Sequence, residues 1–321
     1  MLIATHSGKF HADDVLSVFL LKQLPQFTNA SVVRTRDSSL IASADCVVDV
    51  GAIFDPNTLR FDHHQKDFNE TFPESEVKLA SCGLVYRHFG KEIISNLSPQ
   101  PLSPPILEIL YKKMYFTLVH EIDANDNGIS GCDCSERKFS VSTGISSRVA
   151  NLNPCWNDES LIPDVQFNKA VEMVGSEFVD RLLYYINNWL PARTIVENSF
   201  NTRFSVHSSG RIMFLSRPCP WKEHLFSIEE ENGITQDDNI LFVLFADNSS
   251  GSSIRVSTVP VQNAAGFENR KTLLNAWWGL RDASLCDVAG LPDAQFVHAT
   301  GFIGSAVSFD SALKMAVMSF Q

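Results

Sequence analysis

Short apolar runs alternate with polar turns along the first part of the chain. The runs cover residues 2–5, 31–35, 46–50 and a short segment that ends at Phe61. From Ala12 onward, apolar residues recur at helical spacing. Strands that alternate with helices at this spacing predict an α/β fold whose N-terminal sheet is mainly parallel and flanked by helices.

The pattern changes in the second half. A long amphipathic helix is predicted over residues 165–190, with its end at Pro191. We therefore expect a metal-binding catalytic domain over residues 1–164, a linker helix over 165–190, and a smaller α+β substrate domain over 191–321. The predicted strands of the last part cover residues 212–215, 240–245 and 253–259, and its predicted helices cover 273–280 and 311–318.

Composition places the chain among ordinary globular proteins. With 321 residues, 44% of them hydrophobic and 20% charged, it is long enough for two domains. No apolar run approaches the roughly 18 residues of a membrane span, and no basic-then-apolar leader is seen, so we expect no membrane partner. A net charge of −11 argues against a protein that coats nucleic acid, but it leaves room for a nucleotide or oligonucleotide bound locally.

The seven cysteines are scattered and odd in number, which predicts reduced thiols in an intracellular protein. Cys132-Asp133-Cys134 is the only closely spaced pair. It is interpreted as a loop feature because a zinc site needs a second pair, and its role stays open.

Polar side chains collect at the ends of the predicted strands. His6, Arg34 and Asp49 each lie at or directly after a strand end, and so does the triplet Asp62-His63-His64. Because the carboxyl ends of parallel strands share one edge of a sheet, we expect these side chains on one rim. An isolated Asp-His-His triplet is most often a polar surface turn, so its interpretation depends on the residues that accompany it.

Imidazoles and carboxylates together form a candidate metal site. Mixed ligands of these two kinds suit borderline divalent ions such as Mn²⁺. A carboxylate shared by two such ions would hold them about 3.5–4 Å apart, an arrangement that activates water for attack on phosphorus. We therefore expect two divalent metal ions, with Mn²⁺ preferred over Mg²⁺. The candidate ligands are His6, His11, Asp13, Asp49, Asp62, His63, His64 and Asp123.

This ligand set resembles that of the DHH phosphoesterase superfamily, which is named after triplets of the Asp62-His63-His64 kind. Its members include single-strand exonucleases, inorganic pyrophosphatases and phosphodiesterases of short or cyclic oligonucleotides. In many members the first block has an Asp-x-Asp sequence, whereas this chain has His11 at the first of these two positions. The four blocks occur here in order, as His6 with His11 and Asp13, then Asp49, then the triplet, then Asp123.

Longer motifs extend the resemblance over nearly the whole chain. They cover residues 5–14, 34–37, 61–65, 121–128, 220–225, 279–282 and 296–304. Within the superfamily they are most similar to the melanocyte-proliferating-gene (Myg-type) exonuclease family. Trp278 stands where that family is expected to have Arg, which removes one expected phosphate contact.

The resemblance implies a metal-dependent 3′–5′ exonuclease whose partner is single-stranded RNA or a short oligonucleotide. A cytoplasmic or nuclear location is expected. A mitochondrial location stays open although no presequence is seen, and a homodimer is also left open. His63 and His64 are the candidate catalytic residues, because an imidazole that is not fully engaged by metal can protonate the leaving oxygen.

Basic and glycine residues are the candidate substrate contacts. Arg34 and Arg36 follow a predicted strand and are suited to hold phosphate by paired hydrogen bonds, although surface ion pairs are the alternative. In the second half, the resemblance to the superfamily's associated domain adds Arg255, Arg281, His298, Gly301 and Gly304.

Two other functions remain open at this stage. The same metal chemistry would serve a small pyrophosphatase or a cyclic-dinucleotide phosphodiesterase. A non-catalytic nucleotide-binding or scaffold protein is the alternative from another class, and the full set of candidate ligands argues against it.

Overall fold

The computed structural model describes residues 1–131, 139–157, 160–247, 253–262, 264 and 267–320. The Cys132-Asp133-Cys134 motif lies outside these residues. The chain forms two compact units, Met1–Ile186 and Asn187–Gln321, and each has its own five-stranded sheet with helices packed on it. The predicted α/β class is therefore confirmed. Within the described part of the chain, no helix is long and apolar enough to cross a membrane.

The sheet of the first unit has the strand order β2-β1-β3-β5-β4. β1 is parallel to β2 and to β3, and β3 is parallel to β5, while β4 runs antiparallel at the edge. The mainly parallel sheet predicted from the sequence is thus confirmed. The strands are β1 (Leu2–Thr5), β2 (Ser31–Arg34), β3 (Cys46–Val48), β4 (Phe54–Asp55) and β5 (Arg60–Phe61).

Seven helices of the first unit are described. α1 packs against both α3 and α7, and its apolar side chains such as Val15, Leu16 and Leu20 are fully buried. A π-helical turn, Tyr115–Val119, joins α4 to α5. The helices are α1 (Ala12–Lys22), α2 (Ser38–Ser43), α3 (Ser81–Leu97), α4 (Pro104–Met114), α5 (His120–Asp126), α6 (Ile145–Ala150) and α7 (Pro163–Tyr184).

The helix predicted to end at Pro191 continues past it, so that boundary was wrong. α7 leads through a π-helical turn, Tyr185–Trp189, into α8 (Leu190–Asn201). The wide turn interrupts the regular hydrogen-bond ladder just before the proline, so Pro191 falls in the first turn of α8. A proline there lacks only an N–H that the helix start leaves unpaired, which is why it does not break the helix.

The sheet of the second unit has the order β6-β7-β8-β10-β9. β6 is parallel to β7, and the remaining neighbours are antiparallel. The α+β character predicted for this part is confirmed. The elements after α8 are α9 (Arg203–Val206), β6 (Ile212–Leu215), α10 (Lys222–Glu231), β7 (Phe242–Asp247), β8 (Ser253–Thr258), α11 (Asp282–Ala289), β9 (Ala294–Val297), β10 (Ile303–Ala306) and α12 (Phe309–Met318).

The helix predicted over residues 273–280 is wrong, because only a 3-10 turn, Asn275–Trp277, forms there. The indole nitrogen of Trp278 donates to the carbonyl of Leu273 at 2.8 Å, which closes the segment on itself. Gly279 then adopts the left-handed conformation, with φ of 75°, which a regular helix does not allow. The apolar spacing in this segment reflects separate contacts of each side chain, including the buried Trp277, with the core.

Candidate metal centre

Strand ends bring the polar residues of the first unit together. His6 directly follows β1, Asp49 directly follows β3, and the triplet begins directly after β5. Since these three strands are parallel, their carboxyl ends lie on the same rim of the sheet. The first turn of α1 adds Asp13 and Asp14, both fully buried.

Asp49 lies at the centre of this rim. Its carboxylate oxygens are 3.2 Å from Nε2 of His6, 3.6 Å from Nε2 of His63 and 3.6 Å from Nδ1 of His64. Asp126 reaches the same place from α5, with Oδ2 3.1 Å from Nε2 of His63. One carboxylate among three imidazoles has the geometry of a group shared between neighbouring cations.

Three overlapping groups of side chains are arranged to hold a metal ion. Within each group the potential ligand atoms lie within 4.8 Å of one another. Asp49 belongs to two of the groups and His11 to two, so the groups describe adjacent cation positions on one rim. The groups are His6, His11 and Asp49; Asp49, His63 and His64; and His11, Asp13 and Asp126.

Several buried polar atoms on the rim lack hydrogen-bond partners. They include both carboxylate oxygens of Asp13 and Oδ2 of Asp14. The Nε2 atoms of His6 and His63 also lack a hydrogen bond of good geometry, although carboxylates lie close to both. Buried charged groups without partners are costly, and divalent cations would satisfy them. The residues present therefore fit a divalent metal centre.

The raised pKa values of Asp13 and Asp14 also fit a divalent metal centre. Burial raises the pKa of Asp13 well above its usual value, and the charges of Asp49, Asp126 and Asp14 raise it further. Burial also raises the pKa of Asp14 to about 7, although the neighbouring His6 lowers it. Without a cation, protons are needed to neutralise this crowded set of carboxylates.

Asp49 behaves differently from the other carboxylates. Burial acts to raise its pKa, but hydrogen bonds from His6 and His63 outweigh burial and lower the pKa well below its usual range. For His63, burial acts to lower the pKa, but Asp126 and Asp49 outweigh burial and raise the pKa to about 9. In the metal-free protein, protonated imidazoles therefore supply the positive charge around an ionised Asp49.

Asp62 does not join any of these three groups, and its role as a ligand stays a prediction. Its Oδ2 accepts the backbone N–H of Ala52 at 2.6 Å, and its Oδ1 accepts Nδ1 of His64 at 2.7 Å. The loop it holds is strained, because Asp49, Gly51 and Ala52 have φ of 53°, 95° and 52°. Asp62 therefore fixes the loop and orients the His64 ring.

His64 is the exposed imidazole of the triplet. Its side chain is 60% accessible, against 8% for that of His63. Because Asp62 bonds its Nδ1, Nε2 is the ring nitrogen left to exchange a proton or contact a ligand.

Asp123, the predicted ligand on α5, is engaged in hydrogen bonds within the protein, and its role as a ligand stays a prediction. Its Oδ1 accepts the backbone N–H groups of Ala80 and Gly83 at 3.0 and 3.1 Å, and its Oδ2 accepts the hydroxyl of Tyr115 at 3.1 Å. Gly83 is required there, because a Cβ at this position would collide with the Asp123 carboxylate. Both oxygens are thus used to tie α5 to the start of α3, and neither belongs to a metal-binding group.

Asp126 belongs to one of the three groups, and it was not among the predicted ligands. The two residues are three apart on one helix, so spacing alone does not distinguish them. A usable signal existed in the sequence, since a carboxylate in the last turn of a helix opposes the helix dipole unless a cation is near. Asp126 is the last residue of α5 and fits that description best.

The two arginines at the end of β2, Arg34 and Arg36, have different environments. The guanidinium of Arg34 lies over the rings of Phe10 and Phe167, at 5.3 and 5.0 Å, and it bonds Asp164 and the carbonyl of Gly8. It is 5% exposed and supports the loop before His11, so phosphate contact by Arg34 is not supported.

Arg36 is exposed, and its contact with phosphate stays a prediction. It bonds the carbonyl of Ser7 at 3.3 Å and borders a cavity of about 420 Å³, which we call the phosphate cavity. The volume lies within the range of small-ligand sites. The other lining residues are His6, His11, Asp49, Val50, Gly51, Ala52, Asp62 and His64.

The predicted contacts of the second unit fall on its sheet and the adjoining turn. Arg255 on β8 pairs with Asp247, and both Arg255 and Arg281 lie over the ring of Phe296, at 5.0 and 5.6 Å. His298 is exposed, and its Nδ1 accepts the N–H of Thr300 at 3.2 Å.

Gly301 and Gly304 occupy tight positions in the same region. A Cβ on Gly301 would collide with the indole of Trp278, and one on Gly304 would meet Leu273 and the carbonyl of Phe296. Their packing accounts for both glycines, and their substrate role stays a prediction.

The fold and the rim define an α/β protein with a His/Asp site suited to divalent cations at the carboxyl ends of a parallel sheet. The model of the family designated MYG1_exonuc, described as an uncharacterised protein family (UPF0160), matches residues 2–320. The chain belongs to this family.

Relatives align along almost all of the chain. An MYG1 protein of Caenorhabditis elegans is 44% identical over 98% of this chain and 94% of its own length. A Dictyostelium discoideum protein named MYG1 protein is 43% identical over 99% of this chain and 95% of its own. A Mus musculus protein named MYG1 exonuclease is 42% identical over 98% of this chain and 83% of its own.

Substitution of Asp126 and of Asp123 should have different effects on metal binding. Asp126→Asn should weaken Mn²⁺ binding by more than the roughly 10–100-fold that loss of an outer-shell partner costs. Asp123→Asn should change it far less, since an amide oxygen still accepts from Ala80 and Gly83. Calorimetric titration of chelator-treated protein with MnCl₂ measures both. Retained affinity in Asp126→Asn, with loss in Asp123→Asn, would restore Asp123 as the ligand.

The metal-free protein should lose thermal stability between pH 5 and pH 9, through Asp14 up to about pH 7 and through His63 above that. The pKa of Asp14 is raised to about 7 and that of His63 to about 9, so the folded state holds protons that the unfolded chain releases. Stability from raised pKa values is complete below the unfolded pKa and disappears as pH rises through the folded one. Asp49, with its lowered pKa, is ionised in both the folded and the unfolded state over this range, so it does not change the dependence of stability on pH.

Thermal melts in EDTA measure this effect. Asp14→Asn should flatten the decline between pH 5 and pH 7, whereas the matched change Asp287→Asn at an exposed site should leave it unaltered. A midpoint that rises with pH in the unsubstituted protein would contradict the assignment.

Proposed function

We propose that this chain is a metal-dependent phosphodiesterase of the DHH type that removes nucleotides from the 3′ end of single-stranded RNA. The observation that carries the proposal is Asp49, a carboxylate shared among imidazoles, beside the buried and unpartnered Asp13. The relatives named MYG1 exonuclease support a nuclease. Cytoplasmic or nuclear location and a homodimer stay predictions.

The rim residues would have different roles in such a reaction. His6, His11, Asp13, Asp49, His63 and Asp126 would hold divalent cations, Mn²⁺ in preference to Mg²⁺. When bound, the cations would supply Lewis acidity for water activation and for the charge that develops on phosphate. His6, Asp49 and His63 follow strand ends, Asp13 and Asp126 lie on helices, and His11 directly precedes α1, which limits the movement of these side chains.

Arg36 and His64 are the residues proposed to act directly on substrate. Arg36, which borders the phosphate cavity, would bind a non-bridging phosphate oxygen. His64 would give a proton to the leaving oxygen, since its ring is exposed and Asp62 sets its orientation. His63 is less suited to this step because Asp49 and Asp126 engage its Nε2.

A panel of substrates tests the proposal. With Mn²⁺, we expect the protein to release single nucleotides from 3′-labelled single-stranded RNA. The kcat/KM for RNA should exceed that for pyrophosphate or cyclic dinucleotides. In EDTA we expect no release. Arg36→Ala should raise KM about tenfold, because a charged hydrogen bond contributes about 1.5–3 kcal/mol. Lys22→Ala, at the other end of α1, is the matched control.

Other outcomes separate the alternatives. Preference for pyrophosphate or cyclic dinucleotides would replace RNA with a small substrate at the same site. Bound metal without turnover of any of these compounds would favour a non-catalytic nucleotide-binding protein.

A further inference from the structure

The loop before His11 is bound by an asparagine from a distant part of the first unit. Asn153 lies in the turn after α6, and its side-chain amide pairs with both backbone groups of Phe10, the residue that precedes His11. Its Oδ1 accepts the N–H of Phe10 at 2.9 Å, and its Nδ2 donates to the carbonyl of Phe10, also at 2.9 Å. Two bonds in opposite directions are what a residue exchanges with its partner in an antiparallel sheet.

Asparagine is chemically suited to this contact. A side chain that pairs with a backbone residue in both directions must offer a donor and an acceptor side by side. The amide of asparagine does so, whereas an ionised aspartate only accepts and a serine has a single oxygen. Loss of the Asn153 amide would therefore leave the N–H and the carbonyl of Phe10 without these two bonds.

The peptide unit between Phe10 and His11 is held at both ends. Asn153 binds its carbonyl, and Oδ1 of Asp14 accepts its N–H at 2.9 Å. The ring of Phe10 is fully buried and packs edge-on against Phe167, with 5.6 Å between the ring centroids. The backbone at His11 thus has little freedom to move, because both the peptide before it and the side chain before it are fixed.

Asn153 itself is placed by the turn that ends α6. Its backbone N–H donates to the carbonyl of Ala150 at 3.2 Å, and the N–H of Leu152 donates to the carbonyl of Val149 at 3.0 Å. Val149 is fully buried, and α6 packs against α1, α5 and α7. The Asn153 amide is therefore presented to Phe10 from a packed part of the first unit.

His11 depends on its backbone for its position more than the other members of the three metal-binding groups do. It belongs to two of the groups, yet its side chain is exposed, whereas Asp13 and Asp49 are buried among neighbours that restrict them. An exposed ring has few packing contacts to hold it. The place of the His11 imidazole on the rim is thus set mainly by the peptide that Asn153 and Asp14 hold.

We propose that Asn153 is a positioning residue for metal binding and that it acts through His11. It binds the backbone before His11 and so reduces the freedom that the imidazole loses when it takes up a cation. The inference rests on the metal centre of the proposed function, and it assigns a role to the turn between α6 and α7, which contributes no residue to the three groups.

Metal affinity of an Asn153 variant tests the inference. In calorimetric titration of chelator-treated protein with MnCl₂, Asn153→Ala should weaken Mn²⁺ binding about tenfold, at the lower end of the effect of losing an outer-shell partner. Asn151→Ala removes an exposed asparagine from the same turn, and this matched control should keep the full affinity.

A double-mutant cycle separates positioning from general stabilisation. His11→Ala should itself weaken Mn²⁺ binding. In that background Asn153→Ala should change the remaining affinity about twofold or less, because the imidazole that it positions is gone. A contribution to folding alone would lower the thermal midpoint and the affinity by the same amounts whether or not His11 is present.

The outcomes distinguish this inference from the proposed function. Full affinity in Asn153→Ala, full affinity in His11→Ala, or an equal loss from Asn153→Ala in both backgrounds would overturn the role of Asn153 while leaving a metal centre in place. Should Asn153→Ala fail to fold, Asn153→Ser goes through the same cycle and is judged by the same results. A wild-type protein that binds no Mn²⁺ would refute the metal centre and the inference together.

Discussion

Crowding of carboxylates on one rim is the constraint on which the rest of the first unit depends. Asp13, Asp14 and Asp49 are buried side by side, and Asp126 approaches from α5. Such a set is costly unless protons or cations neutralise it, since each buried charge loses its hydration. The imidazoles beside it can neutralise part of the charge in the metal-free protein, and divalent cations would do so more completely. The crowded carboxylates therefore lower the folding stability of the metal-free protein, and the same carboxylates provide the ligands for metal.

The surrounding fold holds this unfavourable arrangement in place through hydrogen bonds of charged residues outside the three groups. Asp62 holds the left-handed loop after β3 and the ring of His64, and Asp123 ties α5 to the start of α3. Arg34 supports the loop before His11 through the carbonyl of Gly8. Each of these three resembles a site residue in sequence, because a charged side chain next to the site serves equally well to position a ligand.

How far the sequence predicts the structure depends on which interaction decides each feature. The strand ends that carry His6 and Asp49 follow from short apolar runs, because local pattern and burial agree there. The choice between Asp123 and Asp126 depends on which side of α5 meets α3, and that is a matter of tertiary packing. The same applies to the residue 273–280 segment, where the contact of Trp278 with Leu273 outweighs an apparent helical pattern.

Crystals grown with MnCl₂ and measured for anomalous scattering test the central claim most directly. The proposed site predicts anomalous peaks on the rim, one among His6, His11 and Asp49 and another among His11, Asp13 and Asp126. A rim without peaks in manganese-saturated crystals, or a peak coordinated by Asp123, would contradict it.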